Sequence, residues 1–101
     1  SNLPYIPTPR IPTLDASVIE FEPHLALDGG EKGLDIIDTF LQQAPEYLKA
    51  NTSKKSELWL EIDHTHTKEM IFSALPKQNQ YQVEILKDSF GKNRFAHISV
   101  H

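Results

Sequence analysis

Apolar residues in the stretch 36–44 recur at helical spacing, with Ile36, Ile37, Phe40, Leu41 and Ala44 three or four positions apart. That spacing predicts a helix running from Glu31, with Glu31 and Asp35 near the positive end of its dipole. Pro45 ends or kinks it, and Tyr47 and Leu48 resume the spacing, so a second short turn is expected to begin at Pro45. Residues 57–62 follow a different rule: Leu58, Leu60 and Ile62 alternate with Trp59 and Glu61. Apolar side chains on both sides of the alternation predict a strand covered by helices on each face. The polar turn 63–67 offers Thr65 and Thr67 as caps for a helix over 68–75, whose stripe is Met70, Ile71, Ala74 and Leu75 and whose end is Pro76. Strands over 81–86 and 95–100 follow, separated by a turn at 88–93 that carries Gly91.

The first thirty residues have no such rhythm. Pro4, Pro7, Pro9, Pro12 and Pro23 remove five backbone donors, which rules against a regular helix or central strand before residue 13. Asp15 can cap a short helical turn over 16–21, and Asp28-Gly29-Gly30 reads as a turn before the helix. Residues 51–56 read as a polar surface loop.

Composition narrows the classes. A chain of 101 residues makes one small domain, and 39% hydrophobic with 24% charged residues is ordinary globular usage. The net charge of -4 argues against a nucleic-acid surface, which needs clustered Lys and Arg. No cysteine is present, so thiol catalysis, thiolate metal sites and disulfides are excluded. No apolar run approaches membrane-spanning length and no signal peptide is visible, so a soluble cytoplasmic protein is expected.

The candidate chemistry sits in Asn2-Leu3-Pro4-Tyr5. The Asn2 carboxamide has donor and acceptor atoms, Pro4 stiffens the backbone and turns the Leu3 carbonyl outward, and Tyr5 offers a flat face. Two acceptors beside an aromatic ring suit a planar amide or amino group, whose engaged hydrogens leave its lone pair free to attack an electrophilic methyl group. This tetrapeptide resembles the Asn-Pro-Pro-Tyr signature of amino-methyltransferases that use S-adenosylmethionine. The continuation Phe21-Glu22-Pro23-His24-Leu25-Ala26-Leu27-Asp28-Gly29-Gly30-Glu31-Lys32-Gly33-Leu34, and then Leu58-Trp59-Leu60-Glu61-Ile62, is similar to release factor glutamine methyltransferases over most of the chain.

The resemblance implies an enzyme that methylates the side-chain amide of the glutamine in the Gly-Gly-Gln motif of peptide chain release factors. Asn2, Leu3, Pro4 and Tyr5 would bind the substrate, with Asn2 and Tyr5 catalytic. It also implies an α/β fold, the C-terminal portion of a Rossmann-like class I methyltransferase, with two main helices and a three-stranded mixed sheet whose last strand lies antiparallel between the other two. The chain would form one partial domain: residues 1–30 a substrate-side loop, residues 31–101 the α/β remainder. Leu3 replaces the family's first proline. Gly29, Gly30, Gly33 and Gly91 do not open a helix directly after an apolar strand, so the main cofactor-binding elements are expected upstream of Ser1 and the fragment is expected to be inactive alone. The rival readings are an adenine N6-type nucleic-acid methyltransferase fragment and a non-catalytic binding or assembly module. The edge of the strand 57–62 also raises the expectation of a homo-dimer.

Other clusters read as structural. Asp63, His64 and His66 are taken as a polar turn and not as a metal site. Glu61 and Asp63, two apart on an extended strand, share a face and are read as carboxylates that hold the loops around the site. Glu22-Pro23 is read likewise. His97 and His101 bracket no acidic partner in sequence and are assigned to the surface.

Overall fold

The computed structural model describes residues 1–48 and 56–100. Three strands, β1 (Glu57–Glu61), β2 (Tyr81–Lys87) and β3 (Asn93–Val100), form one sheet in the order β1-β3-β2. The last strand does lie between the other two. Both ladders are antiparallel, with Leu60 opposite Ala96 and Val83 opposite Ile98. The expected mixed sheet is thereby corrected: β1 and β2 point the same way but are never bonded to one another.

Four α-helices are described: α1 (Ala16–Phe21), α2 (His24–Leu27), α3 (Asp35–Gln43) and α4 (Lys68–Ala74). Asp15 caps α1 by accepting from the Ser17 amide, as its position suggests. Thr67 caps α4 by accepting from the Met70 amide. Thr65, the other candidate cap, instead bonds Asp63. A 3-10 turn over Ala44–Tyr47 continues the chain at Pro45. The helix predicted from Glu31 starts only at Asp35, because residues 29–33 form a glycine turn with Gly30 and Gly33 at positive φ. The loop expected over 51–56 lies outside the described residues apart from Ser56.

The core forms where α3 and α4 pack on one face of the sheet. Ile37 and Leu41 from α3, Ile71 from α4, Leu60 and Ile62 around β1, and Ala96 and Ile98 from β3 are all buried there. The opposite face is open. Trp59 is 45% and Phe95 41% exposed, so the strand predicted to be covered on both sides is covered on one. Ser1 pairs with the outer edge of β1: its amino group donates to the Trp59 carbonyl at 2.7 Å, and its carbonyl accepts from the Glu61 amide at 3.1 Å. No helix among the described residues is long and apolar enough to cross a membrane.

Candidate functional site

The Asn2–Tyr5 loop is held at both ends. Ser1 fastens one end to β1, as described above. At the other end the Ile6 amide donates to the Leu27 carbonyl at 3.0 Å and the Ile6 carbonyl accepts from Gly29 at 2.9 Å, a parallel bridge between Ile6 and Asp28. Thr8 extends this contact, its amide donating to the Gly30 carbonyl at 2.8 Å and its hydroxyl to Asp28 at 2.6 Å. Gly33 lies so close to the Tyr5 carbonyl that a Cβ there would collide with it. Two sequence motifs some twenty residues apart are thus one physical unit.

Tyr5 is the fixed point of the loop. Its hydroxyl donates to Glu61 Oε1 at 2.8 Å, and the same oxygen faces Arg94 Nη2 at 3.2 Å. Burial, reinforced by the Glu61 hydrogen bond, pushes the Tyr5 phenol up to about 12. Tyr5 borders two open cavities. One, of about 290 Å³, is also lined by Asn2, Leu3, Val18 and Glu22. The other, of about 490 Å³, lies toward the β2–β3 turn and is lined by Asp63, His64, Phe90 and Arg94. Asn2 is exposed at the first cavity.

A second anchor stands beside it. Arg10 clamps Asp63 with two hydrogen bonds, the Nη2–Oδ2 one at 3.0 Å, and Asp63 also accepts from the Thr65 amide at 3.1 Å. Burial alone would push the Asp63 carboxyl up, but Arg10 and Thr65 outweigh it and hold the group at about 2. The chain's two arginines therefore serve the two carboxylates, Arg94 with Glu61 and Arg10 with Asp63. The loop-holding role read for these acids is what the geometry displays. Their arginine partners were invisible in sequence, being 33 and 53 residues away.

His66 is buried in the glycine turn's support. Its Nδ1 accepts from the Asp63 amide at 3.1 Å and its Nε2 lies 2.9 Å from the Lys32 carbonyl, which requires the neutral Nε2–H tautomer. Burial lowers its proton affinity to match. Among the described residues there is no group of three or more His, Cys, Asp or Glu side chains able to hold a metal ion. His97 differs from its sequence assignment. It is stacked on Trp59, with ring centroids 4.2 Å apart, and lies between Glu57 at 3.4 Å and Glu84 at 4.0 Å. The acids missing from its own strand come from the strands on either side. His101 lies outside the described residues.

Known proteins of similar sequence carry one name. A release factor glutamine methyltransferase of Thermosynechococcus vestitus is 43% identical over 95 residues, which is 94% of this chain and 31% of the relative. One from Synechocystis is 35% identical over 97 residues, again 95% of this chain and 31% of the relative. A human release factor glutamine methyltransferase is 35% identical over 101 residues, 97% of this chain and 28% of the relative. The chain is similar to release factor glutamine methyltransferases along nearly its whole length. It spans about a third of the length of the curated relatives it matches. No protein-family model matches it. No solved structure matches it either.

Glycines are a usual means of bringing one stretch of backbone close to another group. Here the turn is filled by its own chain: a Cβ at Gly29 would stand 2.7 Å from the Gly33 carbonyl, and one at Gly33 would strike Tyr5. Gly29 and Gly33 thereby let residues 29–33 pack directly against the Asn2–Tyr5 loop.

Proposed function

We propose that this chain is the acceptor-gripping part of an enzyme that transfers a methyl group from S-adenosylmethionine to the glutamine side-chain amide in the Gly-Gly-Gln motif of peptide chain release factors. The supporting observation is the loop Asn2–Tyr5, fastened to β1 on one side and to residues 27–30 on the other, with Asn2 and Tyr5 at the same open cavity. The names carried by relatives along nearly the whole chain support the substrate. In this reading residues 1–30 form the substrate side and residues 31–101 the C-terminal part of a Rossmann-like sheet.

The Asn2 carboxamide oxygen and the Leu3 carbonyl accept the two hydrogens of the substrate amide. Pro4 keeps that carbonyl turned outward, and Tyr5 packs against the amide plane. A primary amide is a poor nucleophile, so the gain comes from orientation and from excluding water. S-adenosylmethionine supplies the methyl group and is held, in this proposal, by the part of the enzyme beyond these 101 residues.

The test uses the full-length protein with purified release factor and radiolabelled methyl donor. Asn2→Ala is expected to lower transfer by at least about 100-fold, the range seen when a reacting group loses its orientation. Donor affinity by calorimetry is expected to stay within about threefold. Undiminished transfer removes Asn2 from the mechanism, and methylation of RNA in place of release factor overturns the substrate.

A further inference from the structure

Nothing in the acceptor chemistry calls for the Tyr5 hydroxyl: a phenylalanine ring offers the same flat face. Yet the hydroxyl is bonded, at 2.8 Å, to a carboxylate oxygen that is itself held by an arginine. Both holders lie on the sheet. Glu61 ends β1 and is paired with Phe95 of β3, and Arg94 is the residue before Phe95. A free glutamate samples many rotamers, and fixing it costs entropy that a single exposed bond does not repay. Here the Arg94 contact holds the acceptor in advance, from the neighbouring strand of the same sheet.

The tyrosine so held lines two cavities, that of Asn2 and Leu3 and that of Asp63 and Arg94. Its backbone is fixed separately, by the Gly33 contact and the pairing of Ile6. With the backbone held, the remaining freedom is rotation of the side chain, and the hydroxyl bond is what removes it. We infer that Glu61, braced by Arg94, is a positioning residue of the methyl-transfer site: it locks the Tyr5 ring at the angle against which the substrate amide is aligned. Glu61 touches neither reacting group and acts only through Tyr5. This inference rests on the function proposed above.

The experiment is a double-mutant cycle in the full-length protein, with Tm measured for each variant. Glu61→Ala and Tyr5→Phe are each expected to lower kcat about 10- to 100-fold, the effect of misplacing a reacting group by a fraction of an ångström to an ångström. The KM for release factor and the affinity for S-adenosylmethionine are expected to stay within about threefold. The double variant is expected to be no worse than either single one, and Glu61→Gln, which keeps an acceptor, to recover most of the loss. Unchanged kcat in Glu61→Ala, or losses that multiply in the double variant, overturns the inference. A fall in Tm with kcat and KM worsening together, in Glu61→Ala and in Glu61→Gln, also overturns it and leaves a purely structural role. A second readout needs no turnover. With ζ-carbon-labelled tyrosine, the Tyr5 resonance, assigned by its loss in Tyr5→Phe, is expected to move toward the free-tyrosine position in Glu61→Ala. Should the parent protein fail to methylate release factor, the proposed function falls, and this resonance still decides whether Glu61 holds Tyr5; no movement overturns the inference.

Discussion

Gly33 has φ +80°, and a side chain there would meet the Tyr5 carbonyl. Both penalties act at once, left-handed strain and steric overlap with backbone that is itself hydrogen-bonded. Gly33→Ala is expected to destabilise by about 1–3 kcal/mol, the cost of a strained non-glycine residue, read as a lower urea midpoint with unchanged m. Asp63 gives a pH dependence. Its folded pKa of about 2 lies below the ordinary carboxylate value, so the unfolded chain takes up the proton first as pH falls. The stabilisation is fully present above about pH 4 and is lost as pH drops toward 2. Arg10→Gln is expected to remove about 1–3 kcal/mol at pH 7, the scale of a lost charged hydrogen bond, and to flatten the stability curve between pH 4 and 2. Urea titrations at pH 7, 4 and 2 measure both. A curve as steep as the parent's would show that another group carries the acid dependence.

Among the elements, α3 shows how periodicity is read correctly and placed wrongly. The stripe Ile36, Ile37, Phe40, Leu41 and Ala44 is real, but the helix begins four residues later than expected, and Ile36 stands 43% exposed. Ile37 and Leu41 are fully buried. Leu41→Ala is therefore expected to cost about 2–5 kcal/mol, and Ile36→Ala under about 1 kcal/mol, in denaturant unfolding. Equal losses would mean that the helix presents another face to the sheet. The late start has a local cause. Residues 29–33 are spent on the glycine turn that receives Ile6, Thr8 and Tyr5, so they are not free to be the first helical turn. The turn 63–67 was legible as a helix entry through Thr67, while its second task, presenting His66 to Lys32 and Asp63 to Arg10, was not.

For the molecule as a whole, the sheet has one dry face and one open face. Trp59, Phe95 and His97 stand on the open side, across the strands from Glu57 and Glu84. The 101-residue chain by itself is expected to bind an apolar fluorescent dye while folded, and Trp59→Ser with Phe95→Ser to reduce that signal by more than half without lowering the cooperativity of unfolding. Dye binding that survives both changes places the responsible apolar surface elsewhere, with Phe21, Leu25 and Phe90, each more exposed than Trp59, the candidates.

By itself the sequence determined the order of the main helices and strands, the cap at Asp15, the helix entry at Thr65 or Thr67, and the segments that resemble release factor glutamine methyltransferases. These are local patterns or linear motifs, and they survive in a string of letters. Only the tertiary structure decided that Tyr5 is tied to Glu61 and Arg94, that Arg10 reaches Asp63, that Thr67 and not Thr65 caps α4, that Gly33 makes room for the Tyr5 carbonyl, and that His97 sits between two glutamates. Apart from the cap, each of those joins residues from 28 to more than 50 positions apart, or from neighbouring strands whose register is set by packing. Separation in space is created by the fold, and no spacing rule along the chain encodes it.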